Sequence, residues 1–168
     1  MISIGLLSLA AILHVVACST QMPSLTLCPG EHDPTIHITN ITITNAKLGE
    51  KMNIDAAFDI TEQLDSDPVL YVSFARPDGT QLWCPDYISE CELMLCGGTK
   101  IDELQLTSEW DNECPIQPGS YTAHTSVRLL DISSSEEFIG DGNVVVTLNI
   151  ENGGKTVECV YFTVFVEE

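Results

Sequence analysis

A period-two alternation of apolar and polar residues dominates this chain. In the stretch 52–60, Met52, Ile54, Ala56, Phe58 and Ile60 point one way, and Asn53, Asp55, Ala57 and Asp59 the other. Successive side chains on a strand face opposite sides, so this segment reads as a strand with one buried and one wet face. The stretch 35–45 alternates too, except for a slip between Ile38 and Ile41, which marks a bulge or a strand that changes sheets. The stretch 69–84 reads as two strands around a Pro77-Asp78-Gly79 turn, and 143–166 as a hairpin over Asn152-Gly153-Gly154. The stretches 101–110 and 120–130 alternate as well, and no segment has convincing helical periodicity. About seven or eight strands separated by turn signals predict an all-β chain, folded as an antiparallel two-sheet β-sandwich.

Residues 1–18 stand outside that pattern. They are apolar and uncharged, too short to span a bilayer comfortably, and closed by small residues. This is the form of a secretory signal peptide cut between Ala17 and Thr20, leaving one domain over 19–168. The Val-Val-Ala-Cys string ending at Cys18 also resembles a bacterial lipoprotein cleavage box, though no basic residue follows Met1. Because the leader carries no charge, the whole formal charge of −19 belongs to the exported domain. Such acidity excludes nucleic acid as a partner and opposes docking on anionic membranes at neutral pH. Six cysteines remain: Cys28, Cys84, Cys91, Cys96, Cys114 and Cys159. An even count in an exported chain predicts three disulfides, with about fifteen possible pairings. Zinc is the other reading, but no pair has the two-residue spacing and no histidine follows at a ligand interval, so no metal site is expected.

Catalytic patterns are sparse, and the chain reads as a non-enzyme. The exported part keeps His32, His37 and His124, and no serine sits in a nucleophile elbow. Glu31, His32 and Asp33 are adjacent, so they do not converge on one point. His124 has the parity of a surface residue. Oxidised cysteines leave no thiol nucleophile. The oxygen-bearing groups at 65–67 and 141–143 do not continue into a calcium loop and read as turns. Asn40-Ile41-Thr42 is a glycosylation sequon. Two apolar groups in loops stand out, Leu93-Met94-Leu95 and Ile132 with Phe138-Ile139. Each is either a plug over a sandwich end or part of a contact surface.

The cysteine pattern and its neighbours resemble the ML (lipid-recognition) family of exported sandwiches, and within it the sphingolipid (ganglioside) activator type. The Cys84–Cys91 segment, with Asp86-Tyr87-Ile88, is similar to the activator's small disulfide loop. The Cys114–Tyr121 segment resembles the family's Cys-Pro-apolar, then Gly-x-Tyr, signature. The segment from Gly142 to Val166 resembles its final hairpin, with the Gly-Lys turn and late cysteine. The loop from Leu130 to Asn143 is similar in length to the activator's apolar lid loop, with Phe138-Ile139 where that loop carries an aromatic-aliphatic pair. The activator type has a further disulfide that this chain lacks.

The resemblance implies an immunoglobulin-like sandwich with an internal lipid cavity. It also implies disulfides joining Cys28 to Cys159, Cys84 to Cys91 and Cys96 to Cys114. The expected cavity residues are Met52, Ile54, Phe58, Val72, Phe74, Val127, Val146, Phe162 and Val164. Leu93, Met94, Leu95, Phe138 and Ile139 are expected at a rim that touches the bilayer. The function implied is secreted, non-enzymatic extraction and presentation of a glycosphingolipid, phospholipid or sterol, without a cofactor. Its implied partners are the lipid, the membrane and a lysosomal hydrolase. Carboxylates titrate near pH ~4, so an endolysosomal pH would ease membrane contact. The alternative is a secreted protein-interaction module with a closed core and no lipid cargo.

Overall fold

The computed structural model describes residues 19–30, 34–65, 67–84, 91–131 and 138–168. The expected leader 1–18, the group Glu31-His32-Asp33, the interior of the Cys84–Cys91 loop and Ile132 lie outside the described residues. The strands are β1 (Thr20–Gln21), β2 (Thr26–Leu27), β3 (Ile36–Thr44), β4 (Lys51–Ile60), β5 (Val69–Ala75), β6 (Gln81–Leu82), β7 (Glu92–Met94), β8 (Gly119–Arg128), β9 (Asn143–Asn152) and β10 (Lys155–Phe165). They form two antiparallel sheets. One has the order β1-β3-β4-β8; the other has the order β2-β10-β9-β5-β6, with β7 also paired to β5.

Local sequence explains the irregular points. The pairing of β3 with β4 skips between Ile38 and Asn40. That bulge absorbs the slip in alternation, so Ile36, Ile41 and Ile43 are all buried. Gly153 and Gly154, at φ 60° and 74°, join β9 to β10. A two-residue hairpin turn of this kind needs positive φ at both positions, which glycine adopts without steric cost. Gly79 and an Asp78 Oδ1 that accepts from the Thr80 amide at 2.8 Å close the β5–β6 turn. A second bulge, between Thr156 and Glu158 of β10, accompanies an inward-turned Glu158. Its carboxylate accepts from the Cys159 amide at 2.9 Å and, across the sandwich, from the Ile38 amide at 3.3 Å.

One stretch departs from the strand pattern. Ile101–Leu106 is a helix, α1, and Ser108–Trp110 a single 3-10 turn. The physical reason is local capture of backbone donors by Glu103. Its side chain takes the amides of Thr99 and Lys100 at 2.9 and 3.0 Å, which would otherwise be orphaned at a helix start.

Three disulfides bind the fold. Cys28 joins Cys159, Cys84 joins Cys91, and Cys96 joins Cys114, the pairings that the family resemblance implies. The first ties the opening segment to β10, and the third encloses α1. Apolar side chains gather in two clusters. One includes Met52, Phe74, Leu129, Phe138, Ile139, Val144 and Val164. The other, near the start of β3 and the end of β4, includes Ile36, Ile60, Leu64, Leu95, Ile116 and Ile150. Among the described residues, no helix is long and apolar enough to cross a membrane.

Candidate functional site

The inner faces of the two sheets do not close on each other along their whole length. They enclose a cavity of ≈ 160 Å³, lined by members of both apolar clusters. The first sheet supplies Ile36, Ile38 and Ile41 of β3, Ile54, Ala56, Phe58 and Ile60 of β4, and Ala123, Thr125 and Val127 of β8. The second supplies Leu70, Val72, Leu148, Ile150 and Phe162, with Leu93 of β7. Small side chains help to keep the space open: Ala56 and Ala123 are paired across β4 and β8, and both line it.

Five of the nine side chains expected in the cavity line it: Ile54, Phe58, Val72, Val127 and Phe162. The other four lie elsewhere. Met52, Phe74 and Val164 are buried in the packed cluster, and Val146 rests against it. The void sits toward the Ile36–Ile60 end, whereas these four follow the correct parity toward the opposite end. Parity says which face a residue takes, but not how far along the sandwich the sheets part.

The expected rim divides as well. Leu93 and Leu95 line the cavity wall, and of the triplet Met94 turns outward, 40 % exposed. Phe138 and Ile139 do not form a rim; they are only 6 % and 3 % exposed. Phe138 packs edge-on against Phe74 at 5.5 Å and Trp83 at 5.8 Å, plugging the packed end.

The segment between Cys96 and Cys114 walls the cavity in a way that its alternation concealed. Asp102 and Leu106 of α1, with Trp110, line the space. Two apolar side chains of α1 face outward instead: Ile101 is 74 % exposed and Leu104 48 %. Glu103, 2 % exposed, fixes this arrangement. Besides the amides of Thr99 and Lys100, it accepts from the Met94 amide at 3.0 Å, which ties α1 to β7. Burial raises the Glu103 pKa, but hydrogen bonds from the Lys100, Met94 and Thr99 amides and the charge of Lys100 bring it below the ordinary carboxylate value. Gly98 makes room for this side chain, since a Cβ there would come within 2.6 Å of Glu103 Oε2.

Three more side chains hold the wall. Asn112 exchanges hydrogen bonds with the Gly98 backbone at 2.7 and 3.1 Å. Trp110 Nε1 donates to the Leu95 carbonyl at 2.6 Å, while its ring meets Phe58 and Tyr121 edge-on at 6.1 and 5.7 Å. Glu109 accepts from both the hydroxyl and the amide of Thr122 on β8, and these bonds lower its pKa.

The outer faces carry polar pairs. Asp55 and His124 pair across β4 and β8 at 2.7 Å, with 57 % of each side chain exposed. Among the described residues, no three His, Cys, Asp or Glu side chains are placed to hold a metal ion.

Two solved structures of similar architecture have very different sequences. The Niemann-Pick type C2 protein from the Japanese carpenter ant superposes with a TM-score of 0.55 at 9% identity, over 86% of this chain and 99% of that one. The C-terminal domain of wzt gives a TM-score of 0.51 at 10% identity, over 87% of this chain and 78% of that one. At such identities the likeness establishes the fold alone. No curated protein matches the sequence. The family model E1_DerP2_DerF2, described as ML domain, matches residues 24–166. With two antiparallel sheets and three disulfides around an apolar hollow, the chain belongs to the ML-domain family.

Proposed function

We propose that this protein carries the hydrocarbon part of a lipid between its sheets and exchanges it with a membrane. Membership of the ML-domain family supports lipid binding in general. The observation that carries the reading for this chain is the ≈ 160 Å³ cavity, walled by aliphatic and aromatic side chains from both sheets. Apolar cavities of about 150 Å³ stay dry and admit a guest the size of benzene. The resting space therefore takes a ring or the end of an acyl chain, and a longer tail requires the wall to yield. Each methylene buried stabilises by about 0.8 kcal/mol, less the cost of ordering the guest. No covalent chemistry is needed for this role.

The membrane-facing side, in this reading, is α1 with β7. Ile101, Leu104 and Met94 are exposed there, while Leu93, Leu95 and Leu106 of the same two segments line the cavity. A bilayer touching that face lies one helix away from the hollow. The high acidity favours contact at the pH of an endolysosome, where fewer carboxylates are charged. Secretion, with the leader removed, suits an acidic domain stapled by disulfides. Presentation of the extracted lipid to a hydrolase is the further step that the activator resemblance implies.

The cavity is tested by filling it. Ala123→Leu adds a side chain beside a void, so the melting temperature is expected to hold while binding of an apolar fluorescent probe falls at least tenfold. In a closed core the same change would cost about 1–3 kcal/mol. Lost stability in a variant whose parent never binds the probe would point to the closed-core interaction module instead.

A further inference from the structure

Asn40-Ile41-Thr42 is the one Asn-X-Ser/Thr triplet in the chain, and the cavity makes no use of Asn40 or Thr42. Its place in the fold is unusual for a strand residue. The β3 bulge leaves Thr39 and Asn40 both exposed. Thr39 Oγ1 donates to the Ala57 carbonyl at 3.0 Å. Asn40 stands opposite Ala57, which in turn stands opposite Thr122. The neighbour across the ladder is therefore only a methyl group, and no bulky side chain occupies that register position. The Asn40 Nδ2 is 3.2 Å from Thr42 Oγ1. Nearby positions on the same face are polar, with Asp55 against His124 at 2.7 Å and Asp59 against Ser120 at 2.6 Å.

We propose that Asn40 is a site of N-linked glycosylation. The donor is an oligosaccharide on a polyprenyl pyrophosphate. Asn40 Nδ2 forms a bond to the anomeric carbon, the bond from that carbon to the pyrophosphate oxygen breaks, and the pyrophosphate leaves with the electron pair. The displaced amide proton passes to a base of the transferase. Thr42 supplies the hydroxyl that the acceptor sequence requires two residues on. The modification is made in the oxidising secretory route, where three disulfides also persist. A glycan here covers the outer face of β3-β4-β8. The sugar bars docking on the part of this sheet around Asn40.

The test is secretion of the full chain from insect or mammalian cells, followed by peptide mapping of the wild-type protein by mass spectrometry. The peptide holding Asn40 is expected to carry a hexosamine-containing mass increment, and N-glycosidase is expected to remove it and leave Asp at that position. Thr42→Ala should lose the increment, and Thr42→Ser should keep it. Probe binding should be equal before and after deglycosylation. An unmodified Asn40 peptide in the secreted wild type overturns the proposal, as does an increment that survives in Thr42→Ala. Because the map is made on the wild type, a variant that fails to fold does not obscure the result.

Discussion

Glu103 shows how a single buried charge can be stabilising. Its carboxylate accepts from three amides and lies 3.9 Å from Lys100 Nζ. Hydrogen bonds to a charged group contribute about 1.5–3 kcal/mol each. Replacing the carboxylate by an amide keeps the shape but loses the charge, so Glu103→Gln is expected to lower stability by about 2 kcal/mol at neutral pH. Because the folded pKa lies below the unfolded one, this contribution is complete above about pH 4.3. It fades as pH falls through the folded pKa. Melting curves of wild type and Glu103→Gln should therefore stay apart at pH 6–7 and converge in strong acid; a constant gap at every pH would show that the charge is not what matters. Gly98→Ala should be at least as damaging, since its methyl would displace the same carboxylate. At this scale the sequence was only partly legible. Met52 and Ile54 share one parity, yet only Ile54 reaches the cavity. Nothing within β4 itself encodes where the facing sheet recedes.

Among the elements, the segment from Cys96 to Cys114 was the hardest to read. Ile101, Glu103 and Gln105 alternate with Asp102, Leu104 and Leu106, which suits a strand as well as a short helix. A six-residue helix is too short for its periodicity to decide. Glu103 starts the helix by capturing the Thr99 and Lys100 amides, and contacts farther along the chain hold it in place: Glu103 to the Met94 amide, Trp110 to Leu95, and Glu109 to Thr122. Regular strands were more legible, because the alternation extends over the ten residues of β4 and, broken by one bulge, over the nine of β3. The disulfides yield a graded expectation at this scale. The loops closed span 131, 18 and 7 residues. On the chain-entropy account, removing each pair should cost about 5, 3 and 2 kcal/mol in that order. Denaturant titration of three double Cys→Ser variants would reveal the ranking. Loss of Cys96–Cys114 should also speed probe exchange, because it frees the wall that carries α1; an exchange rate equal to wild type would mean that α1 does not gate the cavity.

For the whole molecule, cavity size sets the expected ligand series. Alkyl ligands of increasing length should gain about 0.8 kcal/mol per methylene until the space is filled, at roughly the six carbons of a benzene-sized guest. A continuing gain beyond that length, measured by calorimetry, would mean that the wall opens to admit more chain. Net charge makes a separate expectation. With a formal charge of −19, binding to anionic vesicles should be weak at pH 7 and rise toward about pH 4.5 as carboxylates protonate. Ile101→Ser with Leu104→Ser should reduce vesicle binding several-fold at the lower pH without changing the affinity for a soluble short-chain probe. Equal vesicle binding by the double variant would remove α1 as the contact face.

The one-dimensional pattern determined the two-sheet class, a break in the alternation of β3, the closing hairpin and the presence of three bridges. These depend on side-chain direction along a strand, on turn stereochemistry and on cysteine count, all of which are local or additive. Only the folded molecule decided where the sheets part, that Phe138 and Ile139 become a plug, and that α1 turns Asp102, Glu103 and Leu106 inward and Ile101 and Leu104 outward. Those outcomes depend on which side chain stands across from which, a distance between layers that no single strand contains.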